Sequence, residues 1–185
     1  MRLSWGETLP STDWLETLTL ILFHLAAMLR LNRFILHGTT YPFLDYFKGF
    51  QKVDAVRRIF GDRTEEVLSR LRVRFTWVGG YMWVDGREGN LMVSSRYLER
   101  GNRVDVYLDV IHELVHVRQF MEGRELFDNQ YRYTERPTEV EAYGHAVDEA
   151  RRLGLSDKRI CEYLRTEWMS DRELRELANA LNVGC

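Results

Sequence analysis

The sequence predicts an α+β fold in which a small antiparallel sheet of three strands, possibly more, packs on two long helices. Three observations predict it. Apolar residues recur at helical spacing at both ends of the chain. The period drops to two between residues 72 and 98. Two long helical stretches follow, and the first carries His112-Glu113-Leu114-Val115-His116. The 185 residues, 45% apolar and 29% charged, suit one domain, 1–185. It divides into a helical N-terminal part (1–71), a core (72–153) and C-terminal helices (154–185). The net charge of −2 leaves no basic surplus, so no nucleic-acid partner is expected.

The first helix has Ser11 or Thr12 as its cap and Gly38 as its stop, with Leu15, Leu18, Leu22, Leu25 and Leu29 on one face. Its uncharged stretch, Thr17 to Leu29, is too short to span a bilayer, and Glu7, Asp13 and Glu16 precede it where a targeting segment wants a basic start. A buried core helix and no membrane partner are expected. Residues 37–46 read as a loop around Gly38 and Pro42. A helical pair follows: Lys52–Phe60, ended by Gly61, then Arg63–Leu71, with Asp62 and Glu65 at cap-like spacing.

Arg72–Val78 alternates, with Val73, Phe75 and Trp77 on one face. Gly79-Gly80 breaks it. Tyr81–Val84 and Leu91–Tyr97 are two further strands, with turn chemistry at Asp85-Gly86 and Gly89-Asn90. A helix from Val104 to Met121 ends at Gly123, and another from Thr138 to Leu153 ends at Gly154. Ser156 and Ser170 each start a short helix. Cys161 and Cys185 form no disulfide framework, which favours a reducing, cytoplasmic compartment and a free C-terminal thiol.

His112 and His116 lie four apart, so on a helix both imidazoles share one face, the spacing of two zinc ligands. Glu113 beside them can act as general base on a metal-bound water. Val104, Leu108, Ile111 and Val115 form one apolar stripe, and Val106, Val110, Leu114 and Val117 another. Polar side chains inside so buried a helix need partners, and a metal supplies them. Position 122 is Glu122, so a third histidine six residues on is excluded. The following helix offers Glu139 and Glu141. Glu139 shares the core face with Ala142, Tyr143, Ala146, Ala150 and Leu153. Glu141 lies with His145, Asp148 and Arg152, and Thr138 with Glu141 forms a capping box. Glu139 is therefore the favoured ligand.

The HELVH segment followed by a helix reading EVEAY resembles the gluzincins, zinc peptidases with a downstream glutamate ligand. The compact spacing looks most like the small soluble minigluzincins. The resemblance covers residues 72–153 and implies one Zn2+ per chain held by His112, His116 and Glu139. It implies peptide-bond hydrolysis of a peptide or protein substrate with Glu113 as base. It also places an oxyanion donor at Tyr131 or Tyr133, just before the ligand helix. Tyr143 stands where thermolysin-like enzymes carry a supporting aspartate. Substrate backbone would add to a sheet edge at Gly80–Val84 or Leu91–Ser95. The alternative is a latent or non-catalytic zinc-binding regulator of the same fold, with Cys185 as a conceivable fourth ligand.

Overall fold

The computed structural model describes residues 12–31, 36–77 and 80–185. Helix α1 (Thr12–Leu31) turns Ile21 and Leu25 into the core, each 1% exposed. Leu18 and Leu22 are half-buried beside them, whereas Leu15 is exposed, so the buried stripe is narrower than the leucine row predicts. The cap expected at Ser11 or Thr12, the side chain of Leu29, and Val78 and Gly79 fall outside the described residues and side chains. Among the described residues no helix is long and apolar enough to cross a membrane.

The segment expected to be a loop contains a strand, β1 (Thr40–Pro42), and one helical turn, α2 (Phe43–Tyr46). A three-residue strand is too short to show a period of two. It also tolerates Pro42 because β1 lies at a sheet edge. Helices α3 (Asp54–Phe60) and α4 (Thr64–Arg70) are the expected pair. A 3-10 turn at Gly61–Arg63 joins them and absorbs Asp62, so no side chain caps α4. Instead the Thr64 hydroxyl donates to the Gly61 carbonyl at 2.6 Å.

Strands β2 (Arg72–Thr76), β3 (Met82–Val84) and β4 (Leu91–Ser94) complete a four-stranded sheet of order β1-β2-β4-β3. It is mixed rather than an antiparallel meander. β1 pairs antiparallel with β2 and β3 with β4, but β4 runs parallel to β2, with Val73 opposite Leu91. The β3–β4 hairpin is the one its turn residues predict, and it docks by its second strand. Leu91 and Val93 are fully buried, as a central strand requires, while Trp83 on β3 is only half-buried. β3 is thereby left at the edge. β4 stops at Ser94, earlier than read, because the Ser94 hydroxyl accepts the Tyr97 amide and starts α5 (Ser95–Arg100). Trp77 lies past the end of β2, 73% exposed and stacked on His37, so it does not share the buried face of Val73 and Phe75.

Helix α6 (Arg103–Met121) starts under Asn102, whose side chain accepts the amides of Val104 and Asp105. Gly123, at φ 72°, ends it. Both apolar stripes are buried, with Val104 half-buried at the end of the first. Helix α7 (Pro137–Arg152) has Pro137 in its first turn and no capping side chain. Thr138 therefore already lies inside the helix, 4% exposed, and forms no capping box with Glu141. α7 runs antiparallel to α6. At one end the Tyr107 hydroxyl donates to the fully buried Glu149 at 2.6 Å; at the other Gln119 donates to the Thr138 carbonyl at 3.0 Å. Ala142, Ala146 and Ala150, all fully buried, keep the inner face of α7 small.

Helices α8 (Asp157–Leu164) and α9 (Asp171–Ala180) begin under Ser156 and Ser170 as read, the latter in a capping box with Glu173. Cys161 on α8 is joined to Cys185 by a disulfide, which corrects the reading of a free terminal thiol. The last residues fold back onto the body. Arg151 donates to the Asn182 carbonyl at 2.6 Å, the Gly184 amide donates to Asp157 at 2.9 Å, and Val183 is buried. The pairing removes the argument from the cysteines for a reducing, cytoplasmic compartment, and it removes Cys185 as a metal ligand. One apolar cluster runs from Ile21 to Val183.

Two outcomes follow. At Gly89, φ is +68° and a Cβ would overlap the Phe120 ring. Gly89→Ala should therefore lower stability by roughly 1–3 kcal/mol in denaturant melts, and an unchanged midpoint would contradict this packing. Unfolded without reductant, the protein should show no reactive thiol. Cys185→Ser should cost about 3 kcal/mol, since the bond closes a separation of 24 residues.

Candidate metal centre

Three buried side chains converge where α6 meets α7. His112 and His116, one turn apart, place their Nε2 atoms 3.0 Å from each other. The Oε2 of Glu139, in the first turn of α7, lies 3.4 Å from His112 Nε2 and 3.5 Å from His116 Nε2. All three residues are only 5–6% exposed. Ligand atoms bound to one tetrahedral ion at roughly 2.0–2.2 Å sit about 3.4 Å from each other, so these separations suit one. The donor set is two imidazole nitrogens and a carboxylate oxygen, and it leaves a fourth position for water or substrate. Glu139 Oε2 is buried and meets only the two histidine nitrogens, at long range, so a cation between the three groups would satisfy all of them at once. The residues fit, and the group could hold a metal ion.

Electrostatics point the same way. Burial opposes a charge on His116, but Glu139 bonded to it and Glu113 nearby raise its pKa to about 9. Burial alone would raise Glu139; the two histidines hold it well below the ordinary carboxylate range. Burial lowers His112. The centre thus favours a positive charge, a proton if nothing else.

Neighbouring groups set the ligands. His116 Nδ1 lies 2.7 Å from Gln119 Oε1, while Gln119 Nε2 donates to the Thr138 carbonyl and, at 2.8 Å, to Glu141. With its amide nitrogen so engaged, Gln119 presents its oxygen to His116, which must donate from Nδ1 and keep Nε2 bare for a metal. Glu141 is occupied by Arg118, Arg124 and Gln119. It is therefore not a ligand, though for a different reason than the capping box read from sequence. Tyr143 packs its ring on His112 at 4.3 Å and bonds its hydroxyl to that of Tyr133 at 2.9 Å. His112 Nδ1 consequently has no partner of the kind an aspartate would give.

Two cavities, about 330 and 180 Å³, flank the centre and share Met82, His112, Glu113, Tyr133 and Trp168. Burial pushes the Glu113 pKa up to about 8, and its Oε2 has no partner. Of the two tyrosines read as oxyanion donors, Tyr133 lines both cavities, whereas Tyr131 is 45% exposed and lines neither. The sequence reading missed Gln119 and Trp168. Gln119 was findable, three residues past His116 on the same helix face. Trp168, in the loop between α8 and α9, carries no periodic signal.

No protein-family profile, curated protein or solved structure matches the chain.

Elemental analysis of the purified protein should find about one metal ion per chain. Glu139→Ala should remove it and Glu141→Ala should leave it in place. Gln119→Ala should weaken affinity by roughly 10–100-fold, as loss of a group orienting a ligand histidine does.

Proposed function

We propose that the chain is a zinc-dependent metallopeptidase. The observation that carries this reading is the convergence of His112, His116 and Glu139 beside an unpartnered, buried Glu113 in a cleft under a free sheet edge. A purely structural metal site closes with a fourth protein ligand and has no use for a base next to it.

Zinc held by the triad would supply a water activated near neutral pH and a Lewis acid for the peptide carbonyl. Glu113 follows His112 in the chain and lines both cavities. It takes a proton on its free oxygen and passes it to the leaving amine. Burial holds the Tyr133 hydroxyl well above its ordinary pKa, so it stays protonated and can donate to the oxyanion that forms at the carbonyl. The two candidate strands for substrate backbone now differ. β4 is paired on both sides, while β3 is paired only with β4 among the described residues and lines the cleft with Met82, Trp83 and Val84. β3 therefore receives the extended peptide.

Incubation with a diverse peptide library should give cleavage that a chelator abolishes and zinc restores. Glu113→Gln should keep the metal and lose at least about 100-fold in kcat. Tyr133→Phe should lower kcat by roughly 10–1,000-fold with little change in KM, and Tyr131→Phe should change neither. A zinc-loaded protein that cleaves nothing in the library would leave the reading of a non-catalytic zinc-binding regulator.

A further inference from the structure

Beyond His112, Glu113 and Tyr133, the smaller cavity beside the metal centre has walls that the proposed chemistry does not use. At about 180 Å³ it is below the roughly 300–1,000 Å³ of pockets for whole small-molecule ligands, and suits one side chain. Its walls are aromatic. Tyr81 meets Tyr97 at 4.8 Å and Trp168 at 5.6 Å, both edge-on. Asp109, three residues before His112 on α6, lines it and accepts the Tyr97 hydroxyl. Among the described residues no cation pairs with Asp109. Arg165 also lines the cavity but is paired with Asp171, and Arg159 is paired with Asp105. Two hydroxyls lie in the same wall: that of Thr166 is buried without a hydrogen-bond partner, and that of Tyr163, which is only 8% exposed, faces Asp109.

A carboxylate without a counter-charge, two hydroxyl oxygens in the same wall and aromatic rings together define one kind of guest. It must be cationic, to pair with Asp109. It must carry several donors, to reach Asp109, Tyr163 and Thr166. It gains from a flat face against the rings. A guanidinium meets all three conditions; an ammonium, with three donors, meets the first two but has no planar face. We propose that this cavity is a side-chain pocket of the cleft selective for arginine. Asp109 then determines specificity, and substrates carry an arginine next to the cleaved bond. The proposal deepens the metallopeptidase reading and rests on it for the word substrate, but the pocket can be tested without catalysis.

The test titrates zinc-loaded protein with Nα-acetyl-arginine amide and with its citrulline counterpart, which matches it in shape but is neutral, and follows heat and Trp168 fluorescence. The arginine probe should bind at least about ten-fold more tightly. Asp109→Asn, shown folded by its melting curve, should erase the difference. Equal affinity of the two probes for the unaltered protein overturns the pocket whatever the variant does. So does discrimination that survives Asp109→Asn. A lysine probe that matches arginine would overturn the choice of guanidinium. The two proposals fail separately. Chelator-sensitive cleavage without arginine at a fixed place overturns the pocket and spares the peptidase. Arginine-selective binding with no cleavage in the library spares the pocket and overturns the peptidase.

Discussion

The antiparallel register of α6 against α7 is the constraint on which everything at the centre depends. Glu139 comes from a different helix than the histidines, so a slip of one residue along the contact would carry its carboxylate about 1.5 Å along the axis and swing it about 100° around it. Two polar locks prevent this. The Tyr107–Glu149 bond holds one end, and Arg152 completes Glu149 with two bonds of 2.6 and 2.7 Å. Gln119 holds the other through Thr138 and Glu141. Gln119 also orients His116, so the group that fixes the helices also fixes the ligand. The alanine row lets α7 come close enough for both locks to close.

That arrangement has a thermodynamic cost. His112, Glu113, His116 and Glu139 sit in a region where neighbouring Ile111, Leu114 and Val115 are fully buried. Polar groups there gain little from water; one Glu113 oxygen has no partner, and Glu139 has the two histidines at long range. A native state that carries such groups is stabilised by whatever cation binds it and not its unfolded form. The same groups that weaken the fold without a ligand are those that could hold a metal ion.

Much of this was legible in the sequence because it lives in periodicities. The two stripes of α6 gave its burial, and hence the need of its histidines for a partner. The face shared with Ala142, Ala146 and Ala150 singled out Glu139. Serine caps marked α8 and α9. What stayed illegible was long-range pairing. The choice of β4 over β3 as neighbour of β2 depends on which strand of a hairpin meets the core, and both strands have apolar residues at the same period. The three residues of β1 are too few to show a pattern. Glu141 was assigned a capping role because Thr138 stands three residues before it, but Pro137 starts the helix one residue earlier and leaves Glu141 to the arginines. The cysteines were too few to suggest pairing, since only the fold brings residue 185 back to residue 161. The walls of the small cavity come from β3, α5, α6, α7, α8 and the segments before α7 and after α8, so no single window of sequence contains it.

The disulfide has a consequence for the cleft. Tyr163, Thr166 and Trp168 all lie inside the covalent ring closed by Cys161 and Cys185, and so does the whole of α9. A wall built from an open chain terminus would have to be ordered each time a ligand arrived, and binding would be weaker by that entropy. In the closed ring the loss is borne mainly once, when the chain folds, and much of it is removed from the unfolded state by the crosslink itself. A bond remote from the three candidate ligands would thus preorganise that wall for any guest it receives.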